Sequence, residues 1–177
     1  MKIIFFIIFF YLFNFSFSVA APSIAIVNIQ SLIDKNIYYI KIINDIEINQ
    51  DKYLDSFAIE EIELKKLLNE IEESKILLNE NEINLQINYY NNRLNEFQKL
   101  VDDFNFHYQN QIINIRDYLF REILKLLEKY AIENSIDLIL DSASYLIASN
   151  SLDITEDIKS DLEELKFNLE YKDFEKN

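Results

Sequence analysis

The sequence predicts an α+β fold in which a small β body carries a long antiparallel α-helical coiled-coil hairpin. Two short segments rich in β-branched and aliphatic residues, 23–29 and 136–141, have the composition of strands. Between them the chain has no Pro or Gly, and its apolar residues follow two successive heptad patterns. If two such helices fold back on each other, the two strand segments meet at one end of the hairpin.

The N-terminus is typical of a secretory signal peptide. Lys2 is followed by the apolar run 3–13, and Ser18 and Ala20 are the small residues that precede a cleavage site. We expect residues 1–20 to be removed, with cleavage after Ala20. An uncleaved membrane anchor is the alternative, although the run is shorter than the roughly 20 residues of a membrane span.

The remaining residues, 21–177, are expected to form a single exported domain. Their net charge is −15, because the net charge of the whole chain is −14 and Lys2 leaves with the signal peptide. Such an acidic surface disfavours nucleic acid as a partner, since phosphates require basic residues.

The composition also disfavours most enzyme classes. The chain has no Gly and no Cys. It therefore lacks the glycine-rich loops that bind phosphates, the glycine of an EF-hand loop, disulfides and zinc-thiolate sites. Adjacent acidic pairs such as Glu60/Glu61 point about 100° apart on a helix, so they do not converge on a metal or substrate. We predict no catalytic residue, no cofactor site and no metal site.

The predicted hairpin spans residues 31–134, with the β body formed by 22–30 and 136–177. The descending arm has an imperfect apolar seam: Leu54, Phe57, Leu64, Leu68, Ile71 and Leu78. The ascending arm has a regular one: Ile87, Tyr90, Leu94, Phe97, Val101, Phe104 and Tyr108. The reversal is predicted near 79–82, where Asn residues can cap a helix. Two equal arms of about 50 residues would project about 75 Å. The first arm is predicted to be interrupted near 44–51, where Asn and Asp cluster.

After the hairpin the sequence predicts a strand at 136–141, a turn at 142–144 and another strand at 145–148. A last helix begins near Asp153, with Asp153 or Thr155 as its cap. Three short strands enclose little core, and small isolated sheets are marginally stable in water. We therefore expect other copies of the chain to complete the β body.

The order of these segments resembles one known family. The segments Ile24-Ala25-Ile26-Val27-Asn28-Ile29-Gln30-Ser31-Leu32, the hairpin, 136–141 and Asp153-Ile154-Thr155 are similar to the Skp (OmpH-like) family of periplasmic chaperones over essentially the whole mature chain. The resemblance implies a jellyfish-like homotrimer whose three helical tentacles surround a cavity. It also implies an ATP-independent periplasmic holdase that encloses unfolded outer-membrane and other envelope proteins and prevents their aggregation.

The arms depart from the family pattern in charge. Some members of the family have a patch of Lys and Arg that is proposed to bind lipopolysaccharide, whereas residues 76–92 of this chain contain no basic residue. Lipopolysaccharide binding is therefore disfavoured. Family members also commonly have glycine at arm joints, and its absence predicts stiffer arms.

The candidate client-binding residues are aromatic and crowd the middle of the ascending arm. They are Tyr89, Tyr90, Phe97, Phe104, Phe106 and Tyr108. They can either widen the hairpin's own packing or provide a distributed apolar surface for clients. His107, which lies among them without a catalytic partner, is expected to be structural. The alternative function is a structural coiled-coil spacer or adaptor of the cell envelope, with no client.

Overall fold

A computed structural model describes residues 21–175 of the protein, so the predicted signal peptide lies outside the described residues. In this part of the chain, two strands, four α-helices and two short 3-10 helices form an α+β fold. In chain order they are β1 (Ile24–Val27), α1 (Ile29–Asp34), α2 (Ile37–Ser74), α3 (Glu80–Glu133), β2 (Leu138–Asp141), the 3-10 helices Ser142–Ser144 and Asn150–Leu152, and α4 (Thr155–Glu164). None of these helices is both long and apolar enough to cross a membrane.

Asparagine residues begin the first three helices. The side chains of Asn28, Asn36 and Asn79 each accept hydrogen bonds from backbone N–H groups in the first turn of α1, α2 and α3. At Asn79 the bond is reciprocal, because the Glu82 carboxylate also accepts from the Asn79 N–H at 3.1 Å. This capping box satisfies two backbone donors that the helix leaves open, and so it fixes the start of α3.

Helix α3 ends in a conformation that usually requires glycine, and here a serine adopts it. Ser135 has a positive φ of 52°, a conformation in which glycine is usual. The Ile136 N–H donates to the Ala131 carbonyl at 2.9 Å, and the Ser135 N–H donates to the Ile132 carbonyl at 3.4 Å. These bonds form a Schellman motif, which turns the chain from α3 toward β2.

Helices α2 and α3 form the predicted antiparallel hairpin, but its arms are unequal. Helix α2 has 38 residues and α3 has 54, which correspond to about 57 Å and about 81 Å. The descending arm is shorter because Asn36 begins a new helix after α1. The reversal lies at 75–79 rather than near 79–82, since the cap Asn79 must precede its helix. The interruption at 44–51 was a wrong prediction, because α2 continues through it.

The β body is a two-stranded parallel sheet. Strands β1 and β2 pair from Ile24 with Leu138 to Val27 with Asp141. On the other side of β1, the Ile154 N–H donates to the Ile26 carbonyl at 2.9 Å. The predicted strand at 145–148 is absent from the described chain, because the segment finds no partner strand within one protomer.

Polar side chains connect the parts of the body. The Asp137 carboxylate accepts from the Ser23 N–H at 2.8 Å, and the Asp141 carboxylate accepts from the Ile29 N–H at 3.2 Å. Both aspartates therefore tie β2 to the first described residues of the chain. Near α4, the Asp153 carboxylate accepts from the Thr155 N–H, while the Thr155 hydroxyl accepts from the Asn28 N–H, each at 2.9 Å.

Two hydrophobic cores lie at this end of the molecule. The body core packs β1, α1 and α4 against the end of α3, and its buried residues are Ala25, Val27, Leu32, Ile33, Leu119, Ile123, Leu127, Ile154, Ile158, Leu162 and Phe167. The stalk core lies between the two arms, and its buried residues are Ile42, Ile46, Phe57, Phe104, Tyr108, Ile115 and Phe174. Both cores include a residue from the C-terminal segment.

That segment, residues 165–175, is called the tail here. It was predicted to belong to the β body, but beyond its first residues it lies along the hairpin. Phe167 packs in the body core, Leu169 contacts both cores, and Tyr171 and Phe174 pack in the stalk core. The physical reason is that two helices leave an apolar flank open, and the tail covers it.

Candidate functional site

The structure separates the six predicted client-binding aromatics into three groups of two. Phe104 and Tyr108 are buried, with 2% and 0% of their surface exposed. Phe97 and Tyr90 are half-buried, whereas Tyr89 and Phe106 are exposed at 58% and 68%. The two buried rings belong to the stalk core and present no surface to a partner while the tail covers them.

Phe104 lies at the centre of an aromatic cluster. Its ring centroid lies 5.1 Å from that of Phe57, 5.4 Å from Tyr53, 5.1 Å from Tyr108 and 5.4 Å from Phe174. Three of these four contacts are edge-to-face, the geometry that aromatic quadrupoles favour. The cluster joins α2, α3 and the tail, so it fixes the spacing of the arms where they leave the body.

Tyr108 connects the cluster to the tail through its hydroxyl group. The Phe174 N–H donates to this oxygen at 3.3 Å. Burial raises the pKa of Tyr108 above its ordinary value, because a phenolate would lose its hydration in this apolar setting. The hydroxyl therefore stays protonated at neutral pH.

His107 packs between the cluster and the tail. Its ring lies edge-on to Phe174 at 5.6 Å, and its Nε2 lies 2.8 Å from the Lys172 carbonyl oxygen and 2.8 Å from Gln111 Nε2. These contacts join α3 to the tail, which agrees with the structural role predicted for His107.

The distal part of the hairpin exposes a second set of apolar side chains, which are not among the predicted client-binding residues. They are Ile59 (60%), Ile62 (69%), Ile76 (90%), Leu77 (85%) and Leu85 (70%), beside Tyr89. The signal was available in the sequence, because these aliphatic residues lie off the predicted seams. The aromatic residues alone do not indicate them.

An ion pair joins the arms in this region. Arg93 Nε donates to Glu60 Oε1 at 2.6 Å and Arg93 Nη2 donates to Glu60 Oε2 at 2.9 Å, and Nη2 also contacts Glu63. The hydrogen bonds that Arg93 donates to the Glu60 and Glu63 carboxylates raise the pKa of Arg93. Glu61, the neighbour of Glu60, is exposed. Within residues 21–175, the acidic and histidine side chains form no group of three that could hold a metal ion.

These features define a class of protein: a small α+β body with a long helical hairpin that buries an aromatic cluster between its arms and exposes aliphatic residues toward its tip. The model of the OmpH-like outer membrane protein family matches residues 23–162, and the chain belongs to this family. No curated protein matches the chain significantly.

Solved structures add a likeness of fold. One is the crystal structure of an OmpH-like protein from Caulobacter crescentus CB15, described as a candidate outer membrane chaperone. It superposes with a TM-score of 0.60 at 14% sequence identity, and the match covers 91% of this chain and 98% of that one. At this identity the likeness concerns the arrangement of the body and the hairpin.

Proposed function

We propose that the protein is an ATP-independent periplasmic holdase, which encloses unfolded outer-membrane and other envelope proteins and keeps them from aggregating. Membership of the OmpH-like family and the fold shared with the Caulobacter protein support a chaperone role. The apolar start of the chain, with its basic residue and small residues, supports export to the periplasm.

The observation that carries the proposal is the exposed apolar surface of the distal hairpin. Ile62, Ile76, Leu77 and Leu85 are each at least 69% exposed on a projection far from the body. Aliphatic side chains contact many sequences weakly through the hydrophobic effect, which is what a holdase requires. A rigid spacer has no such requirement for apolar surface on its shaft.

The body supports assembly into a homotrimer. Leu146 and Ile147 are 100% and 92% exposed, and they lie in the segment 145–148 whose sequence predicts a strand. In one protomer that strand has no partner, and two paired strands form a marginal sheet. In the proposed trimer, a neighbouring copy pairs with this segment and covers its side chains.

The holdase activity can be tested by light scattering. A denatured β-barrel membrane protein is diluted into buffer with and without the purified chain. We expect the chain to suppress scattering in the absence of ATP. Equal scattering in both samples contradicts the holdase and favours the spacer or adaptor.

A variant tests whether the distal surface is responsible. Replacing Ile62, Ile76, Leu77 and Leu85 together by Ser is expected to remove most of the suppression, because the contacts are distributed. The matched control replaces Asn91 and Asn95, exposed residues of the same arm, by Ser and keeps full activity. Sedimentation of each variant reports whether the trimer persists; a monomeric native chain contradicts the assembly.

A further inference from the structure

The tail has the side-chain pattern of a strand, but within residues 21–175 it pairs with no strand. From Leu165 to Tyr171, every second residue is buried or half-buried and the residues between them are exposed. This alternation is that of an extended chain with one face on a surface. In the described structure, the main-chain groups of residues 166–175 make no hydrogen bond to another main-chain group. The family match ends at residue 162, before the tail begins.

Side chains of the hairpin bind the main chain of the tail. Gln111 Nε2 donates to the Lys172 carbonyl at 2.8 Å, and Gln111 Oε1 accepts from the Lys172 N–H at 2.5 Å. The Tyr53 hydroxyl donates to the Phe174 carbonyl, and the Phe174 N–H donates to the Tyr108 hydroxyl. Four main-chain groups of two residues are thus satisfied by side chains of α2 and α3, as a neighbouring strand would satisfy them.

Apolar pockets receive the side chains of the same segment. The Phe174 ring is 8% exposed and lies edge-on to Tyr53 at 5.6 Å and to Phe104 at 5.4 Å. The Phe167 ring lies edge-on to Tyr38 at 5.6 Å. The Lys172 side chain, in contrast, is exposed. The hairpin therefore recognises the main chain and the apolar side chains of the tail. It does not select the side chains at the polar positions of the tail.

An open cleft continues along the hairpin beyond the described end of the tail. A cleft of about 1120 Å³ begins at Phe174 and Glu175 and extends between the arms toward the tip. Phe57, Phe97 and Leu100 are among the residues that line it, together with charged residues such as Arg93. A longer extended segment could therefore follow the tail's path and contact more of the hairpin than the tail does.

We propose that this surface, formed around Tyr53, Phe104, His107, Tyr108 and Gln111 and called the tail site, binds extended segments of unfolded clients in which polar residues separate the apolar ones, as they do in residues 165–174. In the resting protein the tail occupies the site in cis, and a client segment displaces it. The inference rests on the proposed function, because it names the client chemistry that the hairpin recognises. Such segments are the unpaired strands of unfolded β proteins.

Because the tail is covalently attached to the protein, it competes well against ligands that bind the tail site weakly. A short tether gives the tail an effective concentration of about millimolar. A client must therefore be concentrated near the hairpin, as in an enclosed cavity, before it competes. If the free site is the minor state at about 10% or less, the apparent affinity for a client falls at least about tenfold.

Peptide binding tests the competition. The probe is a fluorescent peptide with the sequence of residues 165–175, and the proteins are the full chain and a chain ending at Leu165. We expect the shorter chain to bind the probe at least about tenfold more tightly. Replacing the probe's polar residues by other polar residues should preserve binding, whereas a scrambled probe with adjacent apolar residues should not bind. Equal affinity of both chains, or equal binding of the scrambled probe, overturns the proposal.

Further variants separate the tail site from a general loosening of the fold. In the shorter chain, Gln111→Ala is expected to weaken probe binding several-fold, whereas Gln109→Ala, at an exposed position of α3, should not. If circular dichroism shows that the shorter chain has lost helix, Phe174→Ser in the full chain provides the same comparison. A dye on Glu175→Cys, the single cysteine of that variant, reports displacement of the tail by the probe.

The result is distinct from that of the scattering assay. A chain that suppresses aggregation but binds no alternating probe retains the proposed function and loses the tail site. A chain that binds the probe but suppresses no aggregation loses the proposed function, while the tail site remains a peptide-binding surface.

Discussion

The hairpin has two halves that differ in how they bury apolar residues. The proximal half, residues 37–57 and 97–133, packs against the tail and the body and contains the stalk core. The distal half, residues 58–96, buries only Leu64 and Ile71 among its described side chains. The same two helices thus form a dense three-layer structure at one end and a loose two-helix structure at the other.

The difference between the two halves shows the effect of a third element, the tail, on a pair of helices. Each helix of a pair buries one stripe of side chains, and apolar residues outside that stripe stay in water. In the proximal half, the tail covers the flank and allows an aromatic cluster to form. In the distal half nothing in the described chain covers Ile62 or Leu85, so they stay available to a partner. The tail therefore covers apolar side chains of the proximal half, and the described chain leaves the flank of the distal half uncovered.

The largest expected effect is in the centre of the proximal half. Phe104→Ala removes a ring that contacts four other aromatic rings, and we expect it to lower the free energy of unfolding by about 3–5 kcal/mol. Denaturant unfolding at fixed protein concentration measures it. The matched control, Phe106→Ala, changes an exposed ring of the same arm and should alter stability by less than about 0.5 kcal/mol. Equal losses from both would contradict the assignment of the core.

A smaller effect is expected from the corresponding change in the distal half. Leu64→Ala should cost about 2 kcal/mol, at the low end for buried leucines, because loosely packed helices can close around the space. Leu68→Ala, at a 40% exposed position one turn further along α2, is the control and should cost less. If Leu64→Ala costs as much as Phe104→Ala, the two halves do not differ in packing.

The cap at the tip is expected to act locally. Asn79→Ala removes the capping box and should cost about 1 kcal/mol. Hydrogen exchange should become faster in the first turns of α3 and stay unchanged in the stalk core. Asn81→Ala, an exposed change within the same turn, serves as the reference, and a change in exchange throughout the hairpin would show that the halves unfold together.

At the opposite end of α3, a substitution should stabilise the protein. Ser135→Gly places glycine at a positive φ, which it adopts without steric cost, and should add about 0.5–1 kcal/mol. Ser149→Gly, where φ is −74°, is the contrasting change and should give no gain. A loss of stability in the Ser135 variant would argue against the left-handed conformation.

The smallest effect is expected from alkaline pH. Because burial raises the pKa of Tyr108, the folded state keeps a proton that the unfolded state loses above the ordinary value of 10.0. The contribution to stability is thus fully present below pH 10 and declines as the pH rises through the folded-state pKa. Unfolding midpoints across this range measure it, and Tyr108→Phe should reduce the decline. The decline should affect the proximal half first.

Much of the fold could be predicted from local sequence. The heptad seams indicated both helices, the segment 24–27 indicated β1, and Asn79 marked the region of the reversal. The helix boundary at Asn36 was missed because a capping asparagine resembles any polar residue of a long helix. The strand predicted at 145–148 fails within one protomer, since a strand requires a partner and local sequence does not supply one.

The candidate site was less predictable than the fold. A heptad pattern places Phe97, Phe104 and Tyr108 on the seam, but it does not tell whether a third layer will cover a neighbouring ring. The alternating residues of the tail were visible in the sequence as Phe167, Leu169 and Tyr171. Without a partner strand to pair with, their destination could not be inferred.

By itself the sequence determined that the chain is a helical hairpin on a small body, because helix periodicity, caps and the absence of Pro and Gly act over a few residues. Only the tertiary structure decided where the tail lies and which apolar residues of the hairpin stay in water. Burial is a property of surfaces brought together from distant parts of the chain, such as Gln111 and Lys172, and neighbouring residues do not specify it.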